Sequence, residues 1–180
     1  ETVHWTEGST MEELKRRILS DAVVGEGDII HVDMFLNHCM DINLMEHMGN
    51  ALAKRFRGVR ITKVLTAESS GIALACFVAR ALDVPAVYAK KFQTGYIDPE
   101  VYSAETHSLV LLVDDILSNG QAILSLLELV SKAGGEVAGV GVAIEKAMRD
   151  GGRVLRRMGI RVEALATVER IEGDRIILKD

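Results

Sequence analysis

Residues 109–124 constrain the chain more than any other stretch: five apolar residues, the pair Asp114-Asp115, a short loop ending in Gly120, and the first turns of an amphipathic pattern. An apolar run of that kind fits a parallel strand buried on both faces. Its end then lies at the carboxyl edge of an open α/β sheet, where ligands bind. Gly120 permits a tight turn, and the free amides of a helix opening near Asn119 suit a phosphate. Two carboxylates repel phosphate, so ribose hydroxyls or a magnesium ion are their natural partners. One strand-loop-helix unit could thus grip a sugar phosphate by both ends.

The rest of the chain repeats the alternation. Met45, Met48, Leu52 and Phe56 recur at helical spacing, residues 63–67 read as a strand ending at Glu68-Ser69-Ser70-Gly71, and 71–82 read as a helix. Strands follow at 84–89, 109–113, 136–145 and 162–168, with helices at about 119–133 and 149–158 and a terminal hairpin turning at Gly173. Strands alternating with helices of ten or more residues demand crossover connections and a mainly parallel sheet, hence an α/β fold. Residues 1–10 show turn residues without periodicity and are expected to form a loose arm. Thr10 and Glu13 then read as a capping box for a helix over about 11–20.

Composition narrows the function classes. A chain of 180 residues, 48% hydrophobic, supplies one sizeable core, so a single domain is expected from residue 11 to 180. A net charge of −5 argues against a nucleic-acid partner. No apolar run reaches membrane-spanning length, and the opening residues lack a signal-peptide pattern, so no membrane partner is expected. Cys39 and Cys76 are the only cysteines and follow no metal or disulfide spacing, which suits a reducing cytoplasm. His31, His38 and His47 with Cys39 match no common zinc spacing.

Val113-Asp114-Asp115-Ile-Leu-Ser118-Asn119-Gly120-Gln121-Ala122 resembles the phosphoribosyl-diphosphate (PRPP) signature of type I phosphoribosyltransferases. Asp33-Met-Phe35-Leu36-Asn37-His38, Thr66-Ala-Glu68-Ser69-Ser70-Gly71-Ile72 and Ile144-Glu145-Lys146 stand in the order and approximate spacing of its xanthine-using branch. The resemblance covers roughly residues 11–180 and implies a twisted, mainly parallel sheet with a small hood from about residues 28–40 plus a C-terminal segment. It also implies transfer of ribose 5-phosphate from PRPP to a 6-oxopurine, with magnesium, in a homodimer.

The resemblance assigns roles residue by residue. Asp114 and Asp115 bind the ribose hydroxyls, directly or through magnesium and water, and Ser118, Asn119, Gly120, Gln121 and Ala122 bind the 5-phosphate. Compared with the Thr-Gly-Gly-Thr-like loop common in the superfamily, this loop exchanges hydroxyls for amides. Glu68, Ser69, Ser70 and Gly71 resemble the pyrophosphate loop, where a non-proline cis peptide is expected near Glu68–Ser69. As an isolated motif the same residues are ordinary helix-opening chemistry. Lys90 and Lys91 match a basic pair that neutralises pyrophosphate, though a solvated pair reads the same way. Tyr102-Ser103 resembles part of a mobile hood whose longer hairpin is missing here. Ile30 and Asn37 fall in the segment covering the purine, and Lys146 at the exocyclic oxygen. Lysine only donates hydrogen bonds, which suits an oxo group and rejects the amino group of adenine. Without the resemblance, Lys146 equally suits an exposed ion pair and Asn37 a turn. A regulator that binds PRPP or a nucleotide without turnover is the alternative, because sugar-phosphate recognition can survive loss of hood closure.

Overall fold

The computed structural model describes residues 6–90 and 108–179. Six strands form the main sheet: β3 (Lys63–Ala67), β4 (Ala86–Ala89), β5 (Leu109–Leu117), β6 (Glu136–Lys146), β7 (Val162–Glu172) and β8 (Arg175–Leu178). Their order is β4-β3-β5-β6-β7-β8, and every neighbouring pair is parallel except β7 and β8, the terminal hairpin. Ahead of this sheet β1 (Val23–Gly25) and β2 (Ile29–His31) form a separate antiparallel hairpin.

Alternation along β5 divides the core into two layers. Leu111 and Val113 face one side, where they meet α1 (Glu7–Asp21), α2 (Ile42–Arg55) and α3 (Ile72–Leu82). Val110 and Leu112 face the other, against α4 (Gln121–Lys132) and Leu155 of α5 (Gly151–Arg157). Each fully buried Leu or Val contributes roughly 1.5–3 kcal/mol by leaving water, which makes a two-faced apolar strand the natural centre of the sheet. Helices α2 and α3 approach closely at Gly49, where a Cβ would lie 2.7 Å from Phe77.

Two expectations shift. Helix α1 begins at Glu7 rather than near residue 11, because Thr6 and Ser9 cap it reciprocally: the Ser9 amide donates to Thr6 Oγ1 (3.2 Å) and the Thr6 amide to Ser9 Oγ (2.8 Å). Thr10, expected as the cap, is buried one turn in and donates its hydroxyl to the Thr6 carbonyl (3.1 Å). Residues 6–10, expected in a loose arm, instead form the cap and first turn of α1; the rest of that expected arm lies outside the described residues. Strand β5 also runs past the acidic pair to Leu117, in register with β6 through Asp114↔Val142, Ile116↔Ile144 and Leu117↔Glu145. The long β6 ladder carries the carboxylates as part of the strand.

The connection from β3 leads outward to β4, whereas that from β5 leads the opposite way to β6. The carboxyl ends of β3 and β5 therefore flank the reversal of strand order, the usual position of a ligand crevice in an open α/β sheet.

Candidate functional site

The loops after β3 and β5 meet at that reversal. A Cβ on Gly71 would fall 2.2 Å from Thr66 Oγ1 and 2.8 Å from Asp114 Oδ1, so only glycine lets α3 start so near the acidic pair. Ser70 Oγ donates to Asp115 Oδ1 at 3.0 Å, tying the loops together. The Glu68–Ser69 peptide is cis, as expected from the sequence, and the Glu68 amide donates to the Ala89 carbonyl at 2.9 Å.

Asp114 and Asp115 are both buried, and the Asp115 amide donates to Asp114 Oδ1 at 2.9 Å. Burial, reinforced by the neighbouring Asp115 charge, pushes the Asp114 carboxyl well above the ordinary carboxylate range. Such a pair gains from a counter-charge or from hydroxyl donors. On either side of it a helix opens without a side-chain cap: α3 after Gly71, and α4 after Gly120, whose φ of 79° is left-handed. The first amides of an α-helix lack intrahelical partners and carry the positive end of its dipole. Two anion-receptive helix starts thus bracket two carboxylates.

The loop from Ser118 to Gly120 is held from below by the opening of α5. The Gly151 amide donates to the Ser118 carbonyl (3.0 Å), and a Cβ on Gly151 would lie 2.4 Å from that oxygen and 2.7 Å from the Gly120 nitrogen. Beneath it the buried Glu145 receives both Nη atoms of Arg156, at 2.6 and 2.7 Å, across the space left by Gly152. Sequence reading assigned no role to Gly151, Gly152, Glu145 or Arg156. The signals available were a glycine doublet at a helix start and a carboxylate inside an apolar strand.

The predicted base residues lie on another wall. Lys146, buried at the end of β6, donates to the backbone carbonyl of Asp28. Burial and then the nearby Arg149 charge lower its pKa, against the opposing pull of Asp28. Asn37 closes a π-helical turn over Asp33–Asn37, and its Oδ1 is buried without a hydrogen-bond partner. An unmet acceptor of this kind costs about 1–3 kcal/mol and is satisfied by an N–H donor from outside. Ile30 is buried in the larger core layer, whereas its neighbour Ile29 is exposed. Lys90 is exposed directly after β4; Lys91 and Tyr102-Ser103 lie outside the described residues.

No protein-family profile matches the chain. It is 39% identical to xanthine phosphoribosyltransferase 1 of Clostridium perfringens, covering 94% of this chain and 100% of that protein. It is 41% identical to the xanthine phosphoribosyltransferase of Bacillus cytotoxicus, covering 90% of this chain and 92% of that protein. The chain belongs to the xanthine phosphoribosyltransferase family. Solved structures agree on the fold. The adenine phosphoribosyltransferase of Thermoanaerobacter pseudethanolicus superposes with a TM-score of 0.73 at 20% identity, covering 87% of this chain and 99% of that one. The Mycobacterium tuberculosis orotate phosphoribosyltransferase, solved with inorganic phosphate, gives 0.69 at 19% identity, covering 91% and 94%. The fold is therefore that of the type I phosphoribosyltransferases, as the sequence motifs implied.

Proposed function

We propose that this protein transfers ribose 5-phosphate from PRPP to a 6-oxopurine, xanthine foremost, releasing pyrophosphate. The observation that carries the reading is the buried Asp114-Asp115 pair set between the uncapped starts of α3 and α4. Membership of the xanthine phosphoribosyltransferase family supports the choice of base.

The amides of Gly120, Gln121 and Ala122, with Ser118 and Asn119, receive the 5-phosphate, and Glu68 to Gly71 the pyrophosphate. Asp114 and Asp115 accept the ribose hydroxyls. Asp114 and Asp115, two adjacent hard oxygen donors, fit magnesium and would hold it together with substrate phosphates and water. Held there, the ion would supply positive charge against the departing pyrophosphate. A ring nitrogen of the base bonds to the anomeric carbon as the bond from that carbon to pyrophosphate breaks, and positive charge develops on the ribose. Lys90, with Lys91, stabilises the leaving group, while the two loops hold the reactants in line. Lys146 donates to the exocyclic oxygen of the base; Asn37 Oδ1 accepts one of its N–H groups, and Ile30 supports the covering segment.

The same reading takes the chain from the cap of α1 onward as one catalytic domain that works as a homodimer in the cytoplasm. The free Cys39 and Cys76 suit that compartment, and no described helix is long and apolar enough to cross a membrane. The test is pyrophosphate release from PRPP and magnesium with xanthine, guanine, hypoxanthine or adenine supplied separately. Turnover fastest with xanthine is expected. Tight PRPP binding without turnover on any base would instead make the protein a PRPP-binding regulator.

A further inference from the structure

The turn of the β1–β2 hairpin rests on the end of β6, and two cations hold it. Gly27 and Asp28 are both left-handed, with φ of 71° and 60°, a conformation that aspartate tolerates better than most residues. Three acceptors of this turn face the β6 end. Arg149 Nη2 reaches the Gly27 carbonyl at 2.9 Å and Asp28 Oδ2 at 3.1 Å, while Lys146 Nζ donates to the Asp28 carbonyl. The Arg149 amide itself donates to the Lys146 carbonyl at 2.9 Å, so one backbone turn sets the two cations side by side.

The ion pair does not act chiefly through stability. The side chains of Arg149 and Asp28 are 34% and 51% exposed, and pairs of that kind contribute little to folding. Its effect is geometric. An ammonium has three donors on a flexible stem, and occupying one of them with the Asp28 carbonyl leaves the others in fixed directions. Where that carbonyl sits depends on the turn, and Arg149 grips the turn from both its backbone and its side chain. The hairpin then leads through β2 into the turn that ends at Asn37.

We propose that Arg149 is a positioning residue: by clamping the Gly27–Asp28 turn it orients the Lys146 ammonium, and the segment leading to Asn37, toward the purine base. The proposal rests on reading Lys146 as the base-contact residue. Arg149→Ala removes both grips on the turn and leaves the PRPP loops untouched. The KM for xanthine should rise about three- to tenfold, with kcat and calorimetric PRPP affinity within about twofold of wild type. Arg149→Lys should restore part of the loss, because a single ammonium satisfies one acceptor where the planar fork satisfies two. Asp28→Gly keeps the left-handed backbone and both carbonyl acceptors, so its effect should be the smaller. Amide exchange over Val23–His31 should quicken in Arg149→Ala.

An unchanged KM for the base, or equal weakening of PRPP and base, overturns the proposal. If the wild-type protein accepts no purine base, the functional reading itself fails and base positioning falls with it. Hairpin exchange decides separately whether Arg149 holds the turn, and unaltered exchange in Arg149→Ala refutes the clamp whatever the activity.

Discussion

Gly151→Ala tests the support of the phosphate loop at a single atom. The added Cβ would stand 2.4 Å from the Ser118 carbonyl oxygen, 2.7 Å from the Gly120 nitrogen and 2.9 Å from the Asn119 carbonyl carbon. All three are backbone atoms, so no rotamer change relieves the contact. Ordinary van der Waals contact begins near 3.4 Å, and the loop must therefore retreat by about 1 Å. Overpacking of this kind costs about 1–3 kcal/mol. A misplacement of about 1 Å in groups that position a substrate can cost about 100-fold. The expected result is a PRPP dissociation constant raised about 10- to 100-fold by calorimetry with magnesium, and a Tm lowered by several degrees. Gly8→Ala is the control: it lies on the exposed side of α1 with only Thr6 Oγ1 near, at 3.8 Å, and should leave PRPP binding alone. A Gly151→Ala protein binding PRPP within threefold of wild type would refute the claim that α5 supports the loop.

Other consequences follow from the charges. Asp114 titrates above its unfolded value near 3.8, so its contribution to stability is full below that pH and is lost as pH rises through the higher folded value. Asp114→Asn should therefore raise the Tm of the ligand-free protein at pH 7, with the gain shrinking toward pH 4, while abolishing PRPP binding; a lowered Tm across that range contradicts the assignment. The lowered Lys146 pKa means that its ammonium is lost on the alkaline side before the ordinary value of 10.5. In Arg149→Ala, with the repelling charge gone, the alkaline rise in base KM should move to higher pH; the ionisation of the base is common to both proteins, so a shift to lower pH counts against the assignment. Arg156→Ala leaves Glu145 buried without its partner and should cost about 1–3 kcal/mol, the half-exposure of Arg156 moderating the loss. Arg153→Ala, which breaks only an exposed pair with Asp150, should change Tm by far less.

Much of this was legible in the chain. The two-faced apolar run before Asp114 and the helical spacing of Met45, Met48 and Leu52 gave the layered α/β order, and the motif order gave the two loops at one sheet edge. Boundaries depended on less visible partners. Asp114 and Asp115 look like a strand end because charges rarely sit in a parallel sheet, yet pairing with β6 carries β5 four residues beyond Val113. Thr10 and Glu13 fit a capping pattern, but the reciprocal Thr6–Ser9 cap starts the helix one turn earlier and leaves Thr10 inside it. The β1–β2 hairpin has strands of three residues, too short to show a period. The link from Arg149 to Asp28 spans 121 residues, and no local pattern announces it.

Xanthine-dependent release of pyrophosphate from PRPP, measured on the wild-type protein and on Asp115→Asn, tests the assignment at its centre. Turnover with xanthine should exceed that with guanine, hypoxanthine or adenine, and the variant should lose both PRPP binding and turnover. Undiminished PRPP binding in Asp115→Asn, or turnover favouring adenine, would contradict the assignment.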